Sequence, residues 1–484
     1  MTYIDYGIFA VYFIAMIGVG YYFFRRNKST DDYYVGGRQM GSLHIGLSVV
    51  ATDVGGGFSI GLGGLGFIMG IAGSWMLFTG LLGAWLAAVF LIPRITSFSS
   101  KLRLLTFPQI FNVYYSGKVA LLAGIISAIG YIGFTSSQLL AGAKLASATF
   151  IDLDLNTALL IMGIIAVGYT VIGGLKAVIY TDTVQWIILM VGLIFVGIPV
   201  AYVGIGGMDA IKTHVDPSLL SLSNISWVTF VNWLVTIVPI WFVGMTLYQR
   251  IYACKDAKTA QRAWYIAGLF EYPVMAFMGV LLGLFARVAA EQGMFEYAGY
   301  LSAADMDEEM GLPMLLRTIL PTGFMGLMLA AYFSAIMSTA DSCLMAASGN
   351  LQTDVFGRFF PPIGESSNLL RASQIITLVI GVLALLLATL MQNVLELMLL
   401  SYAFMVSGLF IPVIGAIFNW RRNAEAAFYS MLLGGVTTTI LILSKYDLPL
   451  GLDANIGGIS ISAITFVVLS RVLNSDDNLQ KTNT

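Results

Sequence analysis

The densest group of polar side chains in any apolar stretch of this sequence lies in AAYFSAIMSTADSCL, residues 330–344. Ser338, Asp341 and Ser342 are spaced i, i+3 and i+4, so they share one face of a helix, which Thr339 flanks. Hydroxyl and carboxylate oxygens are hard ligands that suit a hard cation. Serine and threonine hydroxyls can instead bond to the carbonyl four residues earlier, but this alternative does not explain the carboxylate. The segment predicts a binding site for a hard cation.

A second unusual motif is ATDVGGG, residues 51–57, at the centre of an apolar segment from Ser42 to Ile71 that contains no Lys, Arg or Glu. A glycine costs about 1 kcal/mol relative to alanine inside a helix, and a carboxylate such as that of Asp53 costs roughly 2.5–3.5 kcal/mol at the bilayer centre. Unpaired backbone at that depth must be buried in protein or line a cavity. We therefore predict a broken helix whose freed carbonyls are cation ligands; the alternative is that the glycines serve only close helix packing.

A third motif, VPIWFVGMT, contains Pro239 and Gly244 in another apolar segment. Proline removes a backbone hydrogen bond and glycine weakens the helix again, so we predict a second break here. A simple proline kink is the alternative interpretation. Trp241 lies beside the predicted break, where an aromatic ring is able to line a cavity and contact a solute.

Two more segments carry candidate functional residues. Asp182, in YTDTVQW, lies near the cytoplasmic start of an apolar segment; it is either a helix N-cap or an ion ligand. Phe134, in GYIGFTSSQ, precedes a polar run that includes Ser137. We expect that run to face protein or water rather than lipid.

The whole chain indicates what must position these residues. Of its 484 residues, 58% are hydrophobic and 10% are charged, against roughly 25% charged residues in soluble globular proteins. The composition predicts an all-α polytopic membrane protein, since a helix needs about 20 mostly apolar residues to cross a bilayer. We predict thirteen transmembrane helices, at about 5–24, 42–71, 74–96, 119–147, 157–174, 180–205, 226–249, 263–287, 313–348, 370–391, 394–418, 425–444 and 455–473.

The basic residues predict the orientation of the chain. With the N-terminus outside, the cytoplasmic connections contain all of the 24 Lys and Arg residues except Lys144, Lys212, Arg287, Arg317 and Lys445. Cytoplasmic loops carry an excess of Lys and Arg, so we predict an outer N-terminus and a cytoplasmic C-terminus. The expected location is the plasma (inner) membrane.

The two predicted breaks are five helices apart, and an odd number reverses the orientation of a repeat in the membrane. Broken helices at matching positions of inverted halves indicate a substrate site at mid-membrane in secondary transporters. The predicted domains are a peripheral N-terminal helix with a cytoplasmic loop (1–41), repeat 1 (42–205), an extracellular loop (206–225), repeat 2 (226–418), and two peripheral helices with a cytoplasmic tail (419–484).

At these residues the sequence resembles the sodium:solute symporters, a family with the LeuT-type 5+5 inverted-repeat fold and discontinuous helices. The resemblance is nearest to the proline and choline branches and covers about residues 1–420. The matching segments, in family order and spacing, are DDYYVGGRQMG at 31–41, LSVVATDVGGGF at 47–58, AGAKL at 141–145, YTVIGGLKAVIYTDTVQ at 169–185 and AAYFSAIMSTADS at 330–342.

The resemblance implies two ion sites and a solute site. The principal sodium site would use backbone carbonyls and hydroxyls of Ala51, Val54, Ala335, Ser338 and Thr339. A second ion site would use Asp182, Asp341 and Ser342 together with Ser338, and Asp341 would hold a second sodium ion or carry a proton. The residues expected to line the solute site are Asp53, Gly56, Gly57, Phe134, Ser137 and Trp241.

The implied function is sodium-coupled symport of a small organic solute by alternating access. An amino acid such as proline, or a similar zwitterion, is favoured; proton coupling and sugar, organic-acid or choline transport remain alternatives, as do a solute sensor and an ion channel. An enzyme is not expected, since the sequence lacks a His cluster and the HExxH motif. The expected partners are the solute, sodium ions and the lipid bilayer, with no nucleic acid and no obligatory protein partner.

Overall fold

The computed structural model of the chain describes residues 2–24, 35–150, 152–172, 175–359, 366–420, 423–446 and 448–473. Inside these ranges the side chains of Asp53, Val54 and Phe58 are among those that lie outside the description. The described part of the chain is helical and contains no strand, and its only bridge of β type joins Met40 to Cys254.

The α-helices follow one another along the chain with short connections. They are α1 (Tyr3–Phe24), α2 (Ser42–Met69), α3 (Trp75–Leu86), α4 (Ile92–Leu102), α5 (Gln109–Tyr114), α6 (Gly117–Thr149), α7 (Leu155–Ile172), α8 (Leu175–Gly192), α9 (Ile198–Gly204), α10 (Gly207–His214), α11 (Trp227–Val243), α12 (Met245–Ala253), α13 (Ala257–Leu269), α14 (Ala276–Glu291), α15 (Glu308–Ile319), α16 (Phe324–Asn350), α17 (Gly357–Phe359), α18 (Ser366–Ala388), α19 (Val394–Ile417), α20 (Ala424–Leu443) and α21 (Ala454–Val472).

Several of these helices are halves of one longer element. A π turn joins α3 to α4, α8 to α9, α13 to α14 and α16 to α17. Within the described residues, nine helical segments are long and apolar enough to cross a membrane, or ten when the bent pair α11–α12 counts as one more. Multiple crossings are therefore confirmed, and the number thirteen stays a prediction.

The predicted break in the first glycine-rich helix is confirmed. Gly55 has φ 29° and ψ −155° in the middle of α2, whereas the residues on either side continue the helix. Positive φ favours glycine because a Cβ would collide with the backbone. The composition of ATDVGGG thus marks a real interruption of the helix, and close packing alone does not account for it.

The second predicted break is confirmed at Gly244. The axis bends by 43° between α11 and α12, where Gly244 is extended with φ −68° and ψ 114°. Pro239 lies inside α11 and does not end it. The hydroxyl of Tyr131 on α6 accepts a hydrogen bond from the Thr246 N–H at 3.0 Å, so a neighbouring helix satisfies a donor that the break releases.

The two broken elements lie at the centre of the bundle with α6, α8 and α16. Helix α16 packs against α2, α6 and α8, and α19 packs against α6 and α11. Most of α6 and α16 is buried, which explains how these helices carry polar residues. The interior of the bundle, rather than lipid, surrounds the predicted site residues of these two helices.

Candidate ion and solute site

One hydroxyl joins the broken helix to α16. Thr339 Oγ1 donates to the carbonyl oxygen of Ala51 at 3.2 Å and to that of Ala335 at 3.3 Å. Oxygen ligands at right angles around a hard cation, each about 2.3–2.6 Å from it, lie about 3.3–3.7 Å apart. The distance from Thr339 Oγ1 to each carbonyl oxygen is therefore close to that between neighbouring ligands in one coordination shell. Three of the residues predicted for the principal sodium site meet here.

The break itself is held by a side chain from α6. Gln138 Oε1 accepts a hydrogen bond from the Gly56 N–H at 2.7 Å, and the Ser59 hydroxyl donates to the Gly55 carbonyl. A Cβ at Gly55 would come within 2.6 Å of Thr339 Oγ1. Glycine at this position thus supplies both the backbone conformation and the space in which Thr339 approaches the break.

Asp182 is fully buried and connects three helices. Its Oδ1 accepts a hydrogen bond from Ser338 on α16, and its Oδ2 accepts one from Ser48 on α2. Because α8 begins at Leu175, Asp182 lies in the second turn of the helix and is not its N-cap. The predicted ion-ligand position is therefore compatible with the structure, and the N-cap alternative is not.

A fully buried arginine shares the oxygens of this cluster. Arg250, on α12, donates to Ser342 Oγ at 3.0 Å and forms an ion pair with Asp182 at 3.4 Å. It also donates to Ser48 at 3.1 Å and to Thr52 at 2.5 Å. Arg250 was counted from sequence among the charges of a cytoplasmic connection, but the structure places its side chain inside the bundle.

Asp341 has a different hydrogen-bond partner from that cluster. It is buried, and its Oδ1 accepts a hydrogen bond from Thr170 on α7. The structure therefore brings Asp182, Ser338 and Ser342 around one point and directs the Asp341 carboxylate to a neighbouring helix. The four residues predicted for the second ion site do not share one set of partners.

The predicted solute residues fall into two groups. Gly56 and Gly57 lie against α6 and α19, where an added Cβ would meet Ala141 at 2.6 Å and Met398 at 2.5 Å. Trp241 is buried elsewhere: a Cβ at Gly83 on α3 would touch its indole at 2.3 Å.

The remaining predicted solute residues lie on α6, except Asp53 on α2, whose side chain, like that of Val54, lies outside the description. Phe134 packs edge-on against Tyr402 of α19 with ring centroids 5.1 Å apart. Ser137 donates to the Phe134 carbonyl at 2.8 Å.

A small cavity lies beside the break. Its wall includes Ala51, Gly55, Ala335 and Ser338, and α8 contributes Asp182, Gln185, Trp186 and Leu189, which are spaced i, i+3, i+4 and i+7 and so share one face. Within the described part of the chain, Gln185 Oε1 and Trp186 Nε1 have no hydrogen-bond partner although both atoms are buried. Buried polar groups are normally paired, so these two atoms suit water or a polar ligand.

Sequence reasoning did not assign a role in the site to several residues that contribute to it. Gln138 belongs to a polar run that was noted without a role, and Gln185 and Trp186 follow Asp182 at helical spacing. Ser48 and Thr52 are spaced i, i+4 before the break, a signal that was present and not used. Arg250 had no comparable signal, because a charge near the end of an apolar segment is usually cytoplasmic.

Two broken helices beside a cluster of hard oxygen ligands define the class of protein as an ion-coupled secondary transporter. The model of the sodium:solute symporter family matches residues 33–434. The chain belongs to this family, and its activity is sodium-coupled symport of a small solute by alternating access.

Known proteins resemble the chain along nearly all of its length. The osmoregulated proline transporter OpuE of Bacillus subtilis is 28% identical over 96% of this chain and 93% of its own length. The sodium/proline symporter of Escherichia coli is 27% identical over 96% and 92%.

A similar solved structure is that of a Na⁺-coupled sialic acid symporter in a substrate-bound, outward-open state. It superposes with a TM-score of 0.79 at 21% identity, covering 98% of this chain and 99% of that one. The LeuT-type fold with discontinuous helices is thereby confirmed.

Proposed function

We propose that the solute is L-proline, carried inward with sodium across the plasma (inner) membrane. Two proline transporters are similar to the chain over nearly its whole length, and this likeness is the observation that carries the choice of solute. Sugars, organic acids and choline are the competing solutes.

The principal sodium site consists of Ala51, Val54, Ala335, Ser338 and Thr339. The contact of Thr339 with two backbone carbonyls supports it. Sodium at this point would interact with carbonyl dipoles of both α2 and α16 and hold the part of α2 before the break against α16. Its departure toward the cytoplasm would release both, which links ion release to the solute pocket.

The second ion site consists of Asp182, Ser338, Asp341 and Ser342. Asp182 and Ser342 both accept hydrogen bonds from one cation, the Arg250 guanidinium. This shared partner supports their ability to bind a positively charged ion. Asp341 is included in the proposed site because it directly precedes Ser342 in the sequence. In this structure its carboxylate accepts a hydrogen bond from Thr170. The solute site consists of Asp53, Gly56, Gly57, Phe134, Ser137 and Trp241, around the two breaks.

The arrangement in the membrane follows from the charge distribution. The N-terminus is outside and the C-terminus is cytoplasmic, residues 42–205 and 226–418 are the inverted repeats, and no obligatory protein partner is needed. Lys144 donates to Asp307 at the start of α15, and Arg317 lies on α15. The predicted orientation assigns both residues to the outer side, together with the most acidic loop of the chain, in which α15 begins.

The test is uptake of radiolabelled L-proline into proteoliposomes with sodium outside, compared with potassium outside. We expect accumulation above equilibrium only with the sodium gradient, and competition by excess unlabelled proline. Glucose, choline and acetate serve as competitors for the other solute classes. Sodium-driven accumulation of a different solute, with none of proline, would overturn the choice of proline.

A further inference from the structure

Arg250 is positioned as a cation inside the proposed second ion site. Its guanidinium is fully buried and contacts Asp182 on α8, Ser342 on α16, and Ser48 and Thr52 on α2. The side chain comes from α12, beyond the break at Gly244. One charged group thus joins four elements, and its acceptors are hydroxyl and carboxylate oxygens of the kind that sodium binds.

Two cations cannot share these oxygens at low cost. Charges a few ångströms apart repel strongly in a poorly hydrated interior, and the hydrogen bonds of Arg250 use the same oxygens of Asp182 and Ser342 that an ion would need. Removing Arg250 without replacement would leave Asp182 as an uncompensated buried carboxylate, which is unfavourable. The Asp182 carboxylate is therefore neutralised by either the guanidinium or an ion.

We propose that Arg250 is an internal competitor of sodium: it holds Asp182 and Ser342 while the second ion is away, and it leaves them when that ion binds. This inference rests on the proposed second ion site. Because Arg250 is attached to α12, its displacement by sodium moves or frees the segment after the Gly244 break. Arg250 is thus a positioning residue that links ion occupancy to the conformation of the second broken helix.

The alternative is an ordinary structural ion pair, which holds the fold and is indifferent to sodium. The two interpretations differ in their response to the ion. Under competition, the apparent sodium affinity of the wild type is reduced by the fraction of molecules in which Arg250 covers the site. A structural pair imposes no such reduction.

The experiment titrates sodium against the thermal unfolding of the purified full-length protein in detergent, without solute, for the wild type, Arg250→Gln and Arg250→Lys. Potassium replaces sodium at equal ionic strength as the control. For R250Q we expect half-maximal stabilisation at about a tenth of the wild-type sodium concentration, because the competing charge is gone. Its sodium-induced rise in the melting temperature should exceed that of the wild type, since sodium becomes the only counterion of Asp182.

R250K keeps a positive charge at the site and is the matched control, with a sodium dependence expected near that of the wild type. If R250Q is too unstable to purify without sodium, purification in sodium followed by dialysis into potassium should unfold it, and the same treatment should spare R250K. A folded R250Q whose sodium titration coincides with that of the wild type would overturn the proposal and leave the symport activity untouched.

A second readout reports the conformational consequence. Cys343 is fully buried on α16 beside Ser342, so its alkylation by N-ethylmaleimide in potassium measures how often the cluster opens. We expect faster alkylation in R250Q than in the wild type, and slowing by sodium. Equal alkylation rates in the two proteins would contradict a role for Arg250 in holding the cluster closed. If neither protein responds to sodium in either assay, the second ion site itself is refuted.

Discussion

At the scale of the residue, the principal site depends on one hydroxyl that contacts two backbone carbonyls. Thr339 bonds to carbonyls on both sides of the contact between α2 and α16, while Ser338 is directed to Asp182. Neighbouring residues of one helix thus serve the two proposed ion sites. This division was not visible in the sequence, from which Thr339 was expected in the principal site and Ser338 in both sites.

Replacing Thr339 with valine keeps the shape of the side chain and removes its hydroxyl. A hydrogen bond or ligand contact to a charged group contributes about 1.5–3 kcal/mol, which corresponds to a roughly 10- to 100-fold effect. We expect T339V to raise the sodium concentration for half-maximal uptake by about tenfold or more. T339S keeps the oxygen and should stay near the wild type. Equal sodium dependence in T339V and T339S would remove Thr339 from the ion site.

Ser338→Ala tests the other hydroxyl. It removes a donor to the buried Asp182 carboxylate as well as a proposed ion ligand, so we expect a higher sodium requirement and a lower melting temperature. Sodium-dependent uptake and thermal unfolding measure the two effects separately. A change in stability with no change in sodium requirement would make Ser338 a structural residue only.

Much of the site could be predicted from residue type and spacing. Polar side chains are rare in membrane helices, so Ser338, Thr339 and Asp182 were recognised as candidates from the sequence. The structure brings these three residues together. Their partners could not be predicted in the same way. Gln138 and Arg250 reach the site from α6 and α12, and only the packing of distant helices decides which side chains from different segments meet.

At the scale of the element, the two broken helices owe their interruption to backbone chemistry. Three consecutive glycines predicted a break in α2, but the sequence could not show which one adopts positive φ. In the other element, the helix passes through Pro239 and breaks at Gly244. A proline is tolerated inside a membrane helix when neighbouring helices satisfy the backbone groups that it frees. The composition therefore locates a break only to within one or two helical turns.

Gly55→Ala tests the first break directly. A non-glycine residue at positive φ costs about 1–2 kcal/mol, and its Cβ would press within 2.6 Å of Thr339 Oγ1. We expect sodium-driven uptake to be lost or strongly reduced while the protein still reaches the membrane. Gly168→Ala on α7 is the matched control, since no atom lies within 4 Å of its added Cβ. Uptake by G55A equal to that of G168A would show that the break is dispensable.

At the scale of the whole molecule, a buried ion pair joins three segments of the bundle. Lys144 on α6 contacts Asp307 at 2.5 Å and Glu309 on α15 at 2.7 Å. Glu309 also accepts hydrogen bonds from the Val394 and Leu395 N–H groups at the start of α19. Burial raises the pKa of Glu309, and the Lys144 ammonium and these donors act in the opposite direction. Three distant segments are thus fixed to one another.

A double substitution tests the interaction between Lys144 and Glu309. Lys144→Met leaves the Glu309 carboxylate buried without its cation, a loss of about 3–5 kcal/mol for a broken buried pair, so the melting temperature should fall clearly. Adding Glu309→Gln removes the uncompensated charge and should recover part of the loss. We would measure thermal unfolding of both single variants and the double variant. Strictly additive effects would show that the two residues do not interact.

The sequence predicted the class of this molecule well and its long-range contacts poorly. Hydropathy and the distribution of Lys and Arg are properties of single segments, so the helical membrane architecture followed directly. The contact of α15 with α6 and α19 joins residues more than 80 positions apart. Lys144 was assigned to the outer side by its position alone, and its pairing with Asp307 and Glu309 was not predicted.

The close backbone packing of α2 has a mechanical consequence. Its N-terminal half lies against α13, where a Cβ at Gly46 would reach the Ala263 carbonyl at 2.9 Å, and its C-terminal half lies against α14, where a Cβ at Gly66 would reach the Val280 carbonyl at 2.2 Å. The π turn between α13 and α14 ends at Met275, which faces Gly55 across the cavity. Because Gly55 and Met275 line the same cavity, we expect the parts of α2 and α13 that precede the two interruptions to move together when the transporter changes conformation.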